Sequence, residues 1–328
     1  MVKEEQMGGQ VVNRGKVKYS VVIPVFNEEQ TLEPLHSRLT AVMQNLGATY
    51  EIIFVDDGST DGSPRILKEL SNKDNSITVI RFTRNFGQHP AVSAGFDVTQ
   101  GAVIITMDAD LQNPPEEIPR LLEKINEGYE VVAGCRESRH DPIWRKLSSR
   151  FTNWLVSKLT GVKLKDQGCM LRAYRSEIIE MLKQCKEKSR FIPTLVSWLG
   201  VSLAEIKVTH DPRLGGKSKY NFPKLLKMYF DLVTGFSDLP IQIVTYAGFA
   251  VSFLGIGVGI YLVIWRIVFG PGISGLVSFV ALGILLLGAL LVALGLIGQY
   301  IGRIFVETQG RPYYIVKEMH HSRGENPK

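Results

Sequence analysis

Residues 102–112 read Ala-Val-Ile-Ile-Thr-Met-Asp-Ala-Asp-Leu-Gln, a run of six apolar or β-branched positions that stops at two aspartates. An apolar run without alternation marks a strand buried on both faces, the kind found in parallel sheets. Three earlier segments are of the same type: Tyr19 to Phe26 (YSVVIPVF), Tyr50 to Val55 (YEIIFV) and Ile77 to Phe82 (ITVIRF). Between them lie helical patterns. Leu32 to Leu46 carries Leu35, Leu39, Val42, Met43 and Leu46 on one face, and Pro64 to Leu70 and Ala91 to Val98 follow at similar intervals. Strands alternating with helices at this spacing predict a parallel, doubly wound α/β sheet. Such a sheet binds ligands beyond the carboxyl ends of its strands.

The acidic residues fall at those ends. The second run finishes in Asp56-Asp57-Gly58-Ser59 and the fourth in Asp108-Ala109-Asp110-Leu111-Gln112. A strand-end carboxylate can simply cap the next helix, as Asp61 is placed to do before Gly62. Two acidic clusters on one sheet edge point instead to a polar site. If the chain stays extended through Asp108 and Asp110, both side chains project to the same side. A pair of hard oxygen ligands suits Mg²⁺ or Mn²⁺, which completes its shell with substrate phosphates and water. Pro114-Pro115 then sets the start of a helix over Glu116 to Glu127.

Asp56 and Asp57 offer acceptors to the N–H groups of a base or to ribose hydroxyls, so a nucleotide is the expected ligand. No G-x-x-x-x-G-K-[ST] occurs, and no G-x-G-x-x-G follows the first strand. A diphosphate would therefore be held by the metal and by cations, for which Arg136, Arg145, Arg213, Lys217 and Lys219 are the candidates. His89 is expected to hydrogen-bond within the fold. Cys135, Cys169 and Cys185 show no C-x-x-C spacing, which suggests buried thiols and no zinc or disulfide framework.

Charge is distributed very unevenly along the chain. Of 38 basic and 32 acidic side chains only Arg266 lies between Pro240 and Gly302. Leu239 to Trp265 and Gly275 to Gly302 each exceed the ~20 residues that cross a bilayer core. Two transmembrane helices are expected, over residues 239–268 and 275–302. Met1 to Lys18 is polar and has no apolar stretch, so no secretory leader is read there. Lys224, Lys227, Arg303, Arg311 and Lys317 flank the apolar pair, while its short connection is uncharged, which predicts both termini and the preceding domain on the cytoplasmic side. The net charge of +6 is too small and too evenly spread to argue for nucleic acid. Two further segments are amphipathic: Leu147 to Leu159, and Phe222 to Val233 just before the first apolar run. The second fits a helix lying in the head-group layer. The organisation expected is a polar extension (1–18), an α/β domain (19–220), an interface helix (221–238), the two membrane helices and a tail (303–328). In that tail Pro312 to Val316 is a short β-like run, able to pair with its own sheet or with the edge of a second copy, so homo-oligomerisation is one expectation.

Taken together, Val22-Ile23-Pro24-Val25-Phe26-Asn27-Glu28, Val55-Asp56-Asp57-Gly58-Ser59-Thr60-Asp61-Gly62, Arg84-Asn85-Phe86-Gly87 and Met107 to Pro115 resemble glycosyltransferase family 2. Gly168 to Arg175 (GCMLRAYR), Arg213 to Tyr220 and the two C-terminal apolar runs are similar to its polyprenyl-phosphate glycosyltransferases. The likeness extends from Tyr19 to Tyr314. It implies an α/β GT-A fold, a Rossmann-like and mostly parallel sheet with helices on both faces, followed by amphipathic interface helices and two transmembrane helices. It implies nucleotide contacts at Pro24, Asn27, Glu28, Asp56, Asp57, Asp108 and Ala109, with Asp57 at the base or ribose. Asp108, Asp110 and Gln112 would surround the metal and diphosphate. Asp110 and Asp166 are the catalytic candidates, and Arg213 and Lys219 match basic positions of an acceptor loop. No Q-x-x-R-W element is present, which implies a single transfer. The activity implied is inverting transfer of one sugar from a nucleotide sugar to a polyprenyl phosphate at the bacterial inner membrane. UDP-glucose is the favoured donor, and UDP-aminoarabinose or GDP-mannose are the alternatives. The competing readings are a nucleotide-sugar binder without turnover and a lipid-flipping protein.

Overall fold

The computed structural model describes residues 17–136, 168–185, 187, 191–211, 239–270 and 275–321. The chain divides into two compact units, one comprising residues 1–219 together with 312–328, the other residues 220–311.

The first unit is built on strands β1 (Tyr19–Val25), β2 (Tyr50–Asp56), β3 (Ile77–Phe82), β4 (Val103–Thr106), β5 (Val131–Arg136), β6 (Arg172–Arg175), β7 (Leu203–Val208) and β8 (Val316–His321). They form one sheet in the order β7-β5-β6-β4-β1-β2-β3-β8. β1 pairs in parallel with β2 and β4, β2 with β3, and β5 with β7. β6 runs antiparallel to both its neighbours, and β8 antiparallel to β3. The sheet is therefore mostly parallel, as the apolar runs predict, with one reversed strand inside it and one at an edge. The strand order reverses beside β1, because the chain builds outward through β2 and β3 and then returns to add β4 on the other side.

Alternation along each strand assigns the two faces. Val21, Ile23 and Val25 of β1, with Ile52, Phe54 and Ile105, share a core with α1 (Leu32–Asn45), α2 (Ser63–Lys73) and α4 (Ile118–Asn126). Each helix contributes its apolar stripe: Leu32, Leu35, Leu39 and Met43 from α1, then Ile118, Leu121, Leu122 and Ile125 from α4. On the opposite face α3 (Gln88–Val98) covers β1 and β2. α5 (Ser176–Gln184) lies beside α3 and contacts α6 (Ile192–Trp198). The four predicted strands β1 to β4 are thus buried on both faces, whereas the β-like run at Pro312 to Val316 is largely exposed.

The run after Pro312 joins its own sheet. Thr83 N donates to Ile315 O at 3.1 Å, and β8 continues the pairing as far as Thr78 opposite His321.

The second unit contains α7 (Leu239–Phe269, 31 residues) and α8 (Gly275–Thr308, 34 residues), which contact each other. Each is long and apolar enough to cross a membrane. Phe253, Ile267 and Leu291 are 74%, 78% and 61% exposed, so these helices carry large apolar side chains that their own unit leaves uncovered. A buried core helix would hide such a stripe. The predicted interface helix at 221–238 and the amphipathic segment at 147–159 lie outside the described residues.

One close approach sets the position of α3. A Cβ placed on Gly95 would lie 2.2 Å from Val22 Cγ1, so this helix rests on β1 with no room for a side chain. Gly95→Val should destabilise the chain by about 1–3 kcal/mol through overpacking. Thermal unfolding of the two proteins measures it, and an unchanged midpoint would mean that α3 does not pack as described.

Candidate active site

The site begins where the β1–β4 ladder stops. Met107 N donates to Val22 O, so Val22 faces β4, and the next β4-facing residue of β1 is Pro24. Proline has no N–H, and pairing with β4 ends at Val22 and Thr106 while pairing with β2 continues to Val25 and Asp56. The two strands part at the carboxyl ends of β1 and β4, the place where the strand order reverses and where sheets of this kind bind ligands.

The loops at these strand ends are tied to each other. Asn27, at φ 55°, accepts from Thr60 N through Oδ1 at 2.8 Å, and its own N–H donates to Ser59 Oγ at 3.0 Å. Glu28 N donates to Ser63 Oγ, and Glu29 Oε2 accepts from Gly62 N. Asn27 and Glu28, both expected at the nucleotide, thus also fasten the loop after β1 to the loop after β2.

Asp56 is fully buried. Its Oδ1 accepts from Ser59 N at 2.8 Å, and its Oδ2 lies 3.1 Å from Arg81 Nε. The paired acceptors read from Asp56-Asp57 are therefore unequal, because sheet pairing brings Asp56 a cation from β3. Asp57 accepts from Phe86 N at 2.6 Å and from Gly87 N at 2.9 Å. Burial pushes its carboxyl up, and those two N–H groups pull it back. Gly58 permits the close contact of these loops: at φ 69°, a Cβ there would lie 2.5 Å from the Arg84 carbonyl carbon.

The Asp108-Ala109-Asp110 segment differs from the expectation of an extended chain. β4 ends at Thr106, and Ala109 and Asp110 occupy a turn, so alternation does not set their directions. The turn sorts its side chains differently. Ala109 and Leu111 enter the core, Leu111 at φ 59°, while Asp108, Asp110 and Gln112 remain partly exposed. Ala109, expected at the nucleotide, has its methyl group in the core. Gln88 Nε2 donates to Asp108 Oδ1 at 2.5 Å, which ties the first turn of α3 to the acidic turn. Asp110 Oδ1 accepts from Gln112 N at 3.2 Å.

Among the described residues no three His, Cys, Asp or Glu side chains gather as a metal cluster. Two carboxylates on one partly exposed turn fit a hard cation that takes its other ligands from phosphate and water.

The same turn meets the far side of the sheet. Asp211 N donates to Gln112 O at 2.8 Å, and buried Glu117 accepts from Thr209 N and Oγ1 at 3.1 and 2.6 Å. The chain that continues into Arg213, Lys217 and Lys219 is therefore rooted beside the acidic turn. Arg136 ends β5, which runs in the direction of β4, and so reaches the same sheet edge. Arg145, Asp166, Arg213, Lys217 and Lys219 lie outside the described residues.

The support behind the turn has little signature in the sequence. Thr106 Oγ1 donates to Met170 O at 2.6 Å, and Arg172, fully buried opposite Thr106, donates from Nε to Cys169 O at 2.9 Å. An arginine in a four-residue strand gives no apolar signal, although the GCMLRAYR motif marks its position. His89, expected to hydrogen-bond within the fold, makes no such bond through Nδ1. Its Nδ1 is buried without a partner, and its ring packs edge-on against Phe191 at 4.8 Å between centroids.

The model of glycosyl transferase family 2 matches residues 20–181. Undecaprenyl-phosphate 4-deoxy-4-formamido-L-arabinose transferases from two strains of Klebsiella pneumoniae are each 43% identical to this chain over 305 residues, 92% of it and 93% of the relative. Among solved structures, mannosyl-3-phosphoglycerate synthase from Rubrobacter xylanophilus is similar in fold, with TM-score 0.50 and 16% identity over 66% of this chain and 71% of that one.

Burial, and then the charge of Arg172, lower the His89 pKa from 6.5 to about 4. The unfolded chain therefore binds this proton more readily, and the stability tied to neutral His89 is complete above pH 6.5 and lost as pH falls toward 4. Chemical denaturation at a series of pH values should show wild type losing more stability over that window than His89→Phe. Parallel curves would contradict the assignment.

Proposed function

The chain belongs to glycosyl transferase family 2, as a polyprenyl-phosphate glycosyltransferase, and on that premise we propose that it transfers one sugar of the 4-amino-4-deoxy-L-arabinose class from a nucleotide carrier to undecaprenyl phosphate. The sequence motifs alone put UDP-glucose first. Identity of 43% along 92% of the chain to transferases of 4-deoxy-4-formamido-L-arabinose supports the amino-sugar alternative ahead of it. The observation that carries the site assignment is the tie between loops: Asp57 holds the backbone of Phe86 and Gly87, and Gln88, the next residue, reaches Asp108. One segment thus links the proposed base-binding and diphosphate-binding ends of a nucleotide site.

In this reading the nucleotide lies beyond the carboxyl ends of β1 and β4. Asp108 and Asp110 would hold Mg²⁺ or Mn²⁺, with Gln112 beside them, and such a cation when bound neutralises charge developing on the leaving diphosphate. Gln88 holds Asp108 in one orientation through its Oδ1. An oxygen of the acceptor phosphate attacks the anomeric carbon from the side opposite the diphosphate. The new carbon–oxygen bond forms as the old one breaks, inverting the centre and releasing a nucleoside diphosphate.

A phosphate monoester has its second pKa near 6 and is mostly dianionic at pH 7, so the nucleophile needs no general base. Asp166 then serves to position the acceptor or a donor hydroxyl. Arg213 and Lys219, continuing from the root at Asp211, would neutralise the acceptor phosphate, with Arg136, Arg145 and Lys217 available to the donor.

The two apolar helices are proposed to cross the bacterial inner membrane. At 1.5 Å per residue α7 would span about 46 Å, enough for a bilayer core with tilt. The flanking lysines and arginines support a cytoplasmic catalytic unit and cytoplasmic termini, on the side where nucleotide sugars are available.

Membranes containing the chain, incubated with Mg²⁺, undecaprenyl phosphate and a panel of labelled donors, should transfer label to lipid fastest from UDP-linked 4-deoxy-4-formamido-L-arabinose. Asp110→Asn should lower the rate by about 10²-fold or more. Faster transfer from UDP-glucose or GDP-mannose would overturn the donor assignment, and a wild-type rate in Asp110→Asn would remove that residue from the site.

A further inference from the structure

The chain beyond α8 is built into the edge of the sheet next to the loops that hold Asp57. Two independent routes lead inward from it. In the first, Glu318 of β8 accepts from Arg81 Nη1 at 3.1 Å, and the Nε of the same guanidinium lies 3.1 Å from Asp56 Oδ2. In the second, the Tyr314 ring stacks on Phe82 at 5.1 Å and 12°, and Phe82 meets Phe86 edge-on at 5.6 Å. Phe86 is the residue whose N–H donates to Asp57. Tyr314 is fixed from its other end, its hydroxyl donating to Asp97 Oδ2 of α3 at 2.5 Å. Both routes end at the adjacent carboxylates Asp56 and Asp57.

We infer that Pro312–His321 is a positioning element of the donor site, holding the Arg84–Gln88 loop, through Arg81 and Phe82, in the form that the nucleotide requires. The inference rests on the reading of Asp57 and its loop as part of the nucleotide site. Plain edge protection would account for a strand at this position, because an unpaired edge invites aggregation. It does not require an arginine shared between β8 and a fully buried aspartate, nor an aromatic stack continued into the loop. The consequence is a linkage of synthesis to activity. β8 pairs with residues more than 230 positions earlier, Thr78 with His321 among them, so the donor site is completed only after both apolar helices have been made.

The test uses the full-length chain in detergent with Mg²⁺, titrated calorimetrically with UDP and with GDP. The tighter of the two then serves for the variants, and KM is measured separately for nucleotide sugar and for undecaprenyl phosphate. Tyr314→Leu removes the stack and the hydroxyl, and should weaken nucleotide binding about tenfold, the effect of losing one well-formed polar contact and its packing. Glu318→Gln, at a half-exposed pair, should weaken it about twofold to threefold. In both variants KM for the donor should rise while KM for the lipid phosphate stays at its wild-type value. Tyr314→Phe keeps the stack and should retain most of the affinity. A lower unfolding temperature with unchanged nucleotide affinity and donor KM would show that the segment only stabilises the sheet, and would overturn the inference. Failure of the wild-type chain to bind either nucleotide would overturn the nucleotide reading itself, and the role of the tail with it.

Discussion

The two hydrogen bonds from Phe86 and Gly87 to the carboxylate of Asp57 are the contact on which the arrangement of the site depends. A carboxylate buried at a strand end is costly unless its oxygens are satisfied, and here backbone N–H groups of the next loop satisfy them. That choice of partner has structural consequences. It draws the loop after β3 over the loop after β2 so closely that only glycine fits at position 58. It also sets the start of α3, so that Gln88 reaches Asp108 and Gly95 lies flat on Val22. The acidic turn after β4 is thereby registered against a loop from the other half of the sheet, across the point where strand order reverses.

The same physics decides which elements are legible in the sequence. β1 to β4 were legible because they are buried on both faces, and burial selects unbroken apolar runs. β6 was not, since a buried arginine, Arg172, opens it, and of β8 only the approach from Pro312 to Val316 reads as β-like, because the edge strand itself is VKEMHH. The acidic residues stand at strand ends, as the runs imply, but their geometry depends on where β4 stops. It stops two residues before Asp108, and a turn with Leu111 at positive φ replaces the expected extended pair. Asp56 stands in sequence as an acceptor open to a ligand. Its partner Arg81 is brought alongside by the parallel pairing of β2 with β3, where Asp56 stands opposite Arg81. Contacts between sheet neighbours have no local signature.

The uneven charge distribution acquires a physical rationale once the fold is known. The two apolar helices, with only Arg266, Arg303 and Glu307 charged along them, leave large apolar side chains uncovered within their own unit, whereas the α/β unit buries its apolar residues in the usual way. The polypeptide does not end with the helices. It returns to the sheet and adds an edge strand beside the proposed nucleotide site, so the apolar segments are bracketed in sequence by parts of a single domain. A second substrate that resides in a bilayer gives such an order a purpose.

The central claim is that the sheet edge beyond β1 and β4, between the Asp57 loop and the acidic turn, holds a nucleoside diphosphate and its cation. The most direct measurement is an experimental structure of the full-length chain with UDP and Mn²⁺. The account predicts the base against the Asp57 loop and Mn²⁺ within coordination distance of Asp108 or Asp110. Nucleotide bound elsewhere, or Mn²⁺ remote from both carboxylates, would contradict it.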